Sequence, residues 1–179
     1  MNFRKTPLEG AFVIDLDRID DARGFFARSF CANEFAAQGI APAFVQCNVS
    51  FNKTAGTLRG MHYQTAPHQE DKLVRCTMGA VHDVIVDIRP DSVTYLNHFS
   101  IELSALNRTA LFIPQGFAHG FQTLHDDSEV FYQMSTIYSP GSARGLRWDD
   151  PALGLKWPLP NPVLSDKDRG YPLMGGKPA

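Results

Sequence analysis

The sequence predicts a mainly β protein, a sandwich or barrel for which we favour a jelly roll. Three observations lead to this prediction: short runs rich in β-branched residues recur along the chain, turn residues bound each run, and helix signals are few. The length of 179 residues suits a single domain with a full core. We expect one domain over residues 1–179, with a barrel over about 7–140 and an irregular C-terminal wrap over 141–179.

Local signals predict the elements in chain order. Residues 31–38 form a short helix in this prediction, ended by Gly39 in the position of a C-terminal cap. Residues 73–89 contain two β-rich runs broken at Gly79, a pattern typical of a hairpin. Further short strands are predicted at residues 99–103, 111–113 and 129–136. The proline-rich residues from 139 onward are too apolar for a disordered tail, so we expect an ordered wrap.

Composition and charge restrict the class of protein. A formal net charge of −2 offers no bulk attraction to nucleic acid or to an anionic membrane, so neither is expected as a partner. The chain has no N-terminal apolar segment and no run of about 18 apolar residues, which favours a cytoplasmic protein. Its three cysteines, Cys31, Cys47 and Cys76, are odd in number and lie in apolar or strand-like contexts. We therefore expect reduced, buried thiols.

One motif raises the question of a metal. Residues 113–121, IPQGFAHGF, contain the pattern Pro-x-Gly-x-x-His, which resembles the second conserved motif of the cupin superfamily, where the histidine is often a metal ligand. The first cupin motif would offer two histidines one residue apart, but here Tyr63 and Gln64 follow His62. Without that pair we expect no metal and no cofactor. A metal-dependent cupin enzyme that uses His119 is the alternative.

His62 is the central candidate for chemistry. Considered alone, it is better explained as a hydrogen-bonded core histidine than as a catalytic group. Its surroundings in the sequence change that balance because they are rich in cations, namely Arg59, Lys72 and Arg75, with Arg23 in an early turn. On a chain of net charge −2, such a local cluster is what a phosphate-bearing ligand needs. A solvated position on the outer face is the alternative for Arg75 and also for Arg89.

Several segments together resemble one family. The chain is similar to the nucleotide-sugar 3,5-epimerases typified by dTDP-4-dehydrorhamnose 3,5-epimerase, which belong to the cupin superfamily. The matching segments keep the family's order from about residue 7 to residue 173: DARGFFARSF (21–30), FVQCN (44–48), LRGMHYQ (58–64), DKLVRCTMGAVHDVIVDIR (71–89), LFIPQGFAHGF (111–121), EVFYQMSTIYSP (129–140), RGLRWDDPALGLKWP (144–158) and LSDKDR (164–169). The resemblance implies a cupin-like jelly roll and a dimer in which strands of one subunit extend the partner's sheet.

The implied reaction is epimerisation at C3 and C5 of dTDP-4-dehydro-6-deoxy-D-glucose, which gives dTDP-4-dehydro-L-rhamnose for dTDP-L-rhamnose synthesis. It needs a base on one face of the sugar, an acid on the other, and support for the enolate oxygen. By match to the family, His62 is the base, held by Asp168. Tyr132 is the proton donor, and Lys72 lies near the C4 oxygen.

The resemblance also implies a set of binding residues. Arg23 and Arg59 match positions that hold the diphosphate, Gln46 and Asn48 match nucleotide contacts, and Tyr138 matches the aromatic residue that stacks on the base. Further substrate contacts match Lys72, His119 and Lys167, and Arg28 also stands at a substrate-binding position. The spacing of Arg59 and His62 needs an explanation, because residues three apart on a regular strand face opposite sides. Either Gly60 marks a bulge, or Arg59 serves a site across the dimer interface.

Three positions depart from the family pattern. Arg28 stands where the family commonly has Glu, Cys47 replaces an Asp, and Ala143 replaces a frequent Glu. All three are at or beside substrate-binding positions, and none is a proposed proton-transfer residue. Epimerisation at C3 alone, or of a sugar on another nucleotide, is therefore compatible with the sequence. A sugar-nucleotide binding module without catalysis is a further alternative, against which the presence of both His62 and Tyr132 argues.

Overall fold

The computed structural model describes residues 1–174, so the end of the predicted wrap, residues 175–179, lies outside the described residues. The described chain is mainly β, as predicted. Its strands are β1 (Asn2–Lys5), β2 (Phe12–Asp15), β3 (Arg18–Asp21), β4 (Gly24–Ala27), β5 (Gln46–Asn52), β6 (Leu58–Gln64), β7 (Lys72–Met78), β8 (Ala80–Asp87), β9 (His98–Ser104), β10 (Ala110–Ile113), β11 (Phe117–Thr123), β12 (Ser128–Met134) and β13 (Ala143–Gly145). Its helices are α1 (Ala32–Ala36) and α2 (Asp166–Arg169). Neither is long and apolar enough to cross a membrane.

Two antiparallel sheets face each other in the jelly-roll arrangement that the sequence predicts. One has the strand order β1-β2-β10-β7-β12-β5, and the other has the order β13-β6-β11-β8-β9. The remaining strands, β3 and β4, form a separate hairpin. The sheets include β1 and β13, which lie outside the range 7–140 expected for the barrel. Alternate residues of each strand point between the sheets, which is where the main core forms.

The core contains inward-facing side chains from both sheets. From the six-stranded sheet come Val13, Val74, Leu111 and Val130, and from the five-stranded sheet Val81, Ile85, Leu103 and Phe117, all of them buried. Burial of one such side chain contributes about 1.5 to 3 kcal/mol to the free energy of folding. The cavity described below shares Phe121 and Tyr132 with this core.

Both sheets are also covered on their outer faces. The short helix α1, with Phe35 fully buried, packs with Phe12, Leu73 and Phe112 on the outer face of the six-stranded sheet. The segment that follows β13 covers the other sheet through Leu153 and partly buried neighbours, which pack on Val84, Val86 and Ala118. The central strands are therefore buried on both faces, which explains their nearly continuous apolar runs.

The predicted hairpin over residues 73–89 is wrong. Strand β7 pairs with β10 and β12, whereas β8 pairs with β11 and β9 in the other sheet. The chain crosses between the sheets at Gly79, whose φ of +71° suits glycine and whose missing Cβ leaves room for Ser128. Both runs are apolar because each lies in the centre of its own sheet.

Strand β6 contains one extra residue opposite β11. His62 lies opposite His119 and Arg59 lies opposite Phe121, so β6 takes three steps where β11 takes two. The extra residue lies next to Gly60, which has a φ of +139°. A Cβ at that position would lie 2.5 Å from Cα of Gly120. The bulge brings Arg59 and His62 to the wall of the same cavity, which answers the question of their spacing.

We predict that Gly60→Ala lowers the free energy of unfolding by about 2 kcal/mol or more, because it adds both backbone strain and a contact with the opposite backbone. Urea unfolding followed by circular dichroism measures this loss. Gly141→Ala is the matched control: its Cβ would meet no heavy atom of the described chain within 4 Å, so its stability should stay near that of the wild type. Equal stability of the two variants would contradict the tight approach of β6 and β11.

Candidate active site

A cavity of about 590 Å³ opens between the two sheets. Nine of the candidate residues from the sequence line it: Gln46, Asn48, Arg59, His62, Lys72, His119, Tyr132, Tyr138 and Lys167. The six-stranded sheet contributes Lys72 and Tyr132, and the five-stranded sheet contributes His62 and His119. The volume of the cavity falls in the range of small-molecule sites.

His62 is held by a carboxylate from the far end of the chain. Its Nε2 lies 2.6 Å from Oδ1 of Asp168. The Asp168 side chain is 6% exposed and that of His62 is 40% exposed, so the carboxylate lies behind the ring and the ring reaches the cavity. Because a carboxylate accepts, Nε2 carries the proton, and Nδ1 is left as the ring nitrogen that can take one up.

Helix α2 positions the carboxylate. Ser165 caps the helix, and its Oγ accepts a hydrogen bond from the Asp168 backbone nitrogen at 3.1 Å. Burial by itself would raise the pKa of Asp168, but the hydrogen bond and charge of His62, together with the bond at Ser165, hold that pKa below its ordinary value. Asp168 is thus kept ionised beside the imidazole. Tyr171 packs edge-on against the His62 ring, with 5.8 Å between ring centroids.

Tyr132 approaches from the opposite sheet. It lies on β12 between Asn48 of β5 and Val74 of β7. Burial is the largest cause that raises its pKa above the ordinary phenol value, and the positive charge of Arg59 only partly opposes it. The phenol therefore stays protonated at neutral pH and is available as a donor.

Lys72 lines the same cavity as these two groups. Its buried Nζ donates to Oε1 of Glu70 at 3.1 Å and to the backbone oxygen of His62 at 3.4 Å. The second contact spans from one sheet to the other, so it places the ammonium group close to the strand that carries the imidazole. Sequence reasoning missed Glu70, which lies in a segment, PHQED, that has the composition of an exposed turn.

A second histidine and carboxylate pair lies beside the first. Nε2 of His119 lies 2.9 and 3.0 Å from the two oxygens of Asp83, which is fully buried on β8. Sequence reasoning missed Asp83 as well. A usable signal existed, because an aspartate inside the apolar run HDVIVD must find a partner when the strand is buried.

Further polar side chains in the cavity lining are held by hydrogen bonds. The Gln46 amide donates to Oδ1 of Asn48 at 3.0 Å and accepts from the Tyr138 backbone nitrogen at 3.0 Å. Arg59 is held by its Nε, which donates to Oδ1 of Asn52 at 2.7 Å. The lining includes four cations, Arg59, Lys72, Arg144 and Lys167, of which Arg144 was not predicted. Together they provide the local positive charge expected for a phosphate-bearing ligand.

Other predicted residues lie elsewhere in the described chain. Arg23, at the tip of the β3–β4 hairpin, is 89% exposed and ion-paired with Asp21. Arg28 pairs with Glu34 at 2.7 Å, and both arginines lie outside the cavity lining of residues 1–174. Arg75 lies on the outer side of its sheet, where it donates to the backbone oxygen of Ser29.

The three positions that depart from the family pattern have different surroundings. Ala143 lines the cavity, whereas Arg28 does not contribute to its described lining. Cys47 lies on edge strand β5 and is exposed, so the expectation of a buried thiol is wrong there. The expectation holds for Cys76, whose burial raises the pKa of the thiol to about 11. The cause of the difference is position, since β7 is central and β5 is not.

Metal-ligating side chains are paired with one another rather than grouped. Over residues 1–174, no three His, Cys, Asp or Glu side chains lie close enough together to hold a metal ion. His62 and His119, which lie opposite each other on neighbouring strands, each bond to a separate carboxylate. In this arrangement each carboxylate polarises one imidazole ring.

We predict that Asp168→Asn lowers the free energy of unfolding by about 1 to 3 kcal/mol at neutral pH, because it removes a charged hydrogen bond to His62. The pKa of Asp168 is lowered by folding, so its contribution is present above the unfolded pKa near 3.9 and is lost as the pH falls through the lower folded value. Urea unfolding at a series of pH values from 6 to 3 should therefore show a decreasing difference in the free energy of unfolding between the wild type and Asp168→Asn.

Asp91→Asn, which alters an exposed carboxylate outside the cavity, is the control and should stay within about 0.5 kcal/mol of the wild type. A gap between Asp168→Asn and the wild type that is unchanged at pH 3 would show that the charge of Asp168 is not its source.

Comparison with known proteins gives one consistent result. A family model described as dTDP-4-dehydrorhamnose 3,5-epimerase matches residues 5–175. The chain is 44% identical over 169 residues to a protein of that name from Shigella flexneri, covering 94% of this chain and 93% of the relative.

Solved structures agree with the sequence relatives. The structure of a dTDP-4-dehydrorhamnose 3,5-epimerase from Bacillus anthracis, with TDP and PPi bound, aligns with a TM-score of 0.93 at 40% identity and covers 96% of this chain and 98% of that one. A dTDP-6-deoxy-D-glucose-3,5-epimerase from Legionella pneumophila, in complex with dTDP-4-keto-L-rhamnose, aligns with a TM-score of 0.91 at 38% identity, covering 97% and 93%.

Proposed function

Because the chain belongs to the dTDP-4-dehydrorhamnose 3,5-epimerase family, we propose that it inverts C3 and C5 of dTDP-4-dehydro-6-deoxy-D-glucose to give dTDP-4-dehydro-L-rhamnose. The observation that supports this most directly is that His62 and Tyr132 line one cavity from opposite sheets, with Lys72 beside them. The ligands of the two structural relatives, TDP with PPi and dTDP-4-keto-L-rhamnose, support a dTDP-linked sugar as the substrate.

His62 acts as the base. The C4 ketone acidifies the hydrogens on C3 and C5, because the carbanion that forms is delocalised as an enolate. Nδ1 of His62 takes up the proton while Nε2 keeps its bond to Asp168. The ionised carboxylate stabilises the imidazolium ion that forms, and it fixes the ring orientation throughout.

Tyr132 returns a proton from the other side. Inversion requires that the new hydrogen arrive on the face opposite to the base, and the phenol is on the opposite sheet from His62. Its raised pKa keeps it protonated until the enolate forms, and an enolate carbon is basic enough to take a phenolic proton. Each inversion therefore moves one proton onto His62 and one from Tyr132, and exchange with solvent restores both.

Lys72 stabilises the charge that develops between these two events. Its ammonium group is buried, so an oxyanion placed beside it is attracted more strongly than in water. A group of this kind is worth roughly 3 to 4 kcal/mol in the transition state. His119, held by Asp83, and Lys167 are further contacts to the substrate.

The nucleotide occupies the outer part of the cavity. Arg59 binds the diphosphate, and its fixed guanidinium group suits two-point contact with phosphate oxygens. The amides of Gln46 and Asn48 contact the base edge, while the Tyr138 ring stacks on the base face.

We infer that two copies form a dimer that completes this site. Ile19 and Phe26 on the β3–β4 hairpin are 68% and 71% exposed, and Val49 and Phe51 are exposed on edge strand β5. An open edge strand with apolar side chains favours pairing with a further strand. The partner's hairpin then supplies Arg23 and Arg28 to the nucleotide end of the cavity. The three free thiols fit the reducing cytoplasm, where we propose that the enzyme acts.

Deuterium exchange tests the reaction and the two proton-transfer roles. In deuterated water, we expect the wild type to place deuterium at both C3 and C5 of dTDP-4-dehydro-6-deoxy-D-glucose. NMR measures this incorporation at each carbon. His62→Ala should abolish exchange at both carbons, because no base remains. Tyr132→Phe should still permit exchange but block inversion, since the enolate is then reprotonated only from the side of His62.

Label at C3 alone in the wild type would indicate a 3-epimerase and contradict inversion at C5. Exchange retained in His62→Ala would contradict its role as the base, and inversion at the wild-type rate in Tyr132→Phe would contradict its role as the donor. Glu102→Gln, an exposed position on β9, is the control and should match the wild type.

Mixed dimers test whether the site is shared. Arg23→Ala and His62→Ala should each lower activity by at least about tenfold as homodimers, because each loses a charged contact or the base. After the two variants are unfolded and refolded together, half of the dimers are mixed, and one of the two sites in each mixed dimer contains both native residues. We expect recovery to about a quarter of wild-type activity. No recovery would place Arg23 and His62 in the same subunit's site.

A further inference from the structure

Two buried side-chain atoms in residues 1–174 have no hydrogen-bond partner, and both belong to residues that line the cavity. They are Oγ of Ser50 and Oε2 of Glu70. A buried polar atom without a partner is unfavourable, and a carboxylate oxygen is a particularly demanding case. Since other buried polar side chains of the described chain do find partners, these two atoms indicate where a ligand donates hydrogen bonds.

Glu70 differs from the rest of the charged lining. Its side chain is 4% exposed, and its other oxygen accepts from Lys72 at 3.1 Å. Among the described lining residues it is the one carboxylate, alongside four cations. A phosphate group would be repelled by this carboxylate, so Oε2 must face a part of the ligand that carries hydrogen-bond donors. In a nucleotide sugar, the donors close to the reacting carbons are the sugar hydroxyl groups.

The position of Lys72 selects one hydroxyl group. Glu70 and Lys72 are two residues apart in the chain, and their charged groups meet in the cavity. Under the proposed function, on which this step rests, the Lys72 ammonium lies at the C4 oxygen. The oxygen on the neighbouring carbon that can donate a hydrogen bond is the C3 hydroxyl, because C5 bears a methyl group. The ammonium group thus matches the C4 ketone, and the neighbouring carboxylate matches the C3 hydroxyl group.

We propose that Glu70 accepts a hydrogen bond from the C3 hydroxyl group of the substrate, and that the enzyme thereby selects sugars with a hydroxyl group next to the ketone. Glu70 is then a specificity-determining residue of the site. A substrate that lacks this hydroxyl leaves the buried Oε2 without a partner and is disfavoured. Glu70 has no step in the proton transfers themselves.

The test combines a substitution in the protein with a change in the substrate. The parent substrate and its 3-deoxy analogue are compared by the rate of deuterium uptake at C5, a carbon that both contain, and kcat/KM is obtained for each. The wild type should use the 3-deoxy analogue about 10- to 100-fold less well. In Glu70→Ala the two substrates should differ by less than about threefold, because the hydroxyl has lost its acceptor.

Two further variants keep the result interpretable. Glu70→Gln retains an acceptor oxygen of the same reach without the charge, so its preference should be intermediate. Glu102→Ala removes an exposed glutamate on β9 and should keep the full wild-type preference. Any loss of Lys72 positioning in the Glu70 variants slows both substrates equally and cancels in the ratio.

If Glu70→Ala prefers the parent substrate over the 3-deoxy analogue as strongly as the wild type does, the proposal is overturned. The role of Glu70 is then limited to the positioning of Lys72. If instead the 2-deoxy analogue shows the wild-type penalty and Glu70→Ala removes it, the assignment to the C3 hydroxyl is wrong. Failure of the wild type to label the parent substrate at all is a different result, since it overturns the proposed function together with this inference.

Discussion

The extra residue in β6 is the constraint on which the site depends. Without it, strand geometry would send Arg59 and His62 to opposite faces, so the cation proposed to bind phosphate and the proposed base could not serve one ligand. The bulge requires close approach of two backbones at Gly60 and Gly120, and side chains larger than hydrogen do not fit there. Local irregularity of this kind re-aims side chains while the rest of the sheet remains regular.

The space between two sheets also provides what the proposed chemistry on two faces of a sugar needs. Each sheet is rigid because its central strands are buried on both sides, by the main core and by an outer layer. Groups fixed to opposite sheets, such as His62 and Tyr132, keep their separation without a moving part. Their pre-organisation lowers the cost of reaching the transition state. Net charge contributes little, since the cations that matter are gathered inside the cavity.

Sequence patterns predicted several of the strands from residue 73 onward, because strand signals are local, and the family resemblance supplied nine of the residues that line the cavity. They failed where the answer depends on distant partners. The runs of β7 and β8 look like a hairpin because nothing in the local pattern tells whether they pair with each other or with remote strands. Glu70 was missed because it lies in a segment with the composition of an exposed turn, and its burial follows from packing with distant residues. Asp83 was missed although its place inside an apolar run indicates a buried partner.

The hydrogen bond between His62 and Asp168 joins residues 106 positions apart, and the carboxylate comes from a short helix that follows every strand described in residues 1–174. During synthesis, both sheets are therefore complete before the partner of His62 exists. A nascent or clipped chain that ends before Ser165 would contain every described strand and three of the four cavity cations, yet it would lack Lys167 and the carboxylate that orients its imidazole. The orientation of the proposed base is thus completed only when residues 165–169 are added to the sheets that shape the cavity.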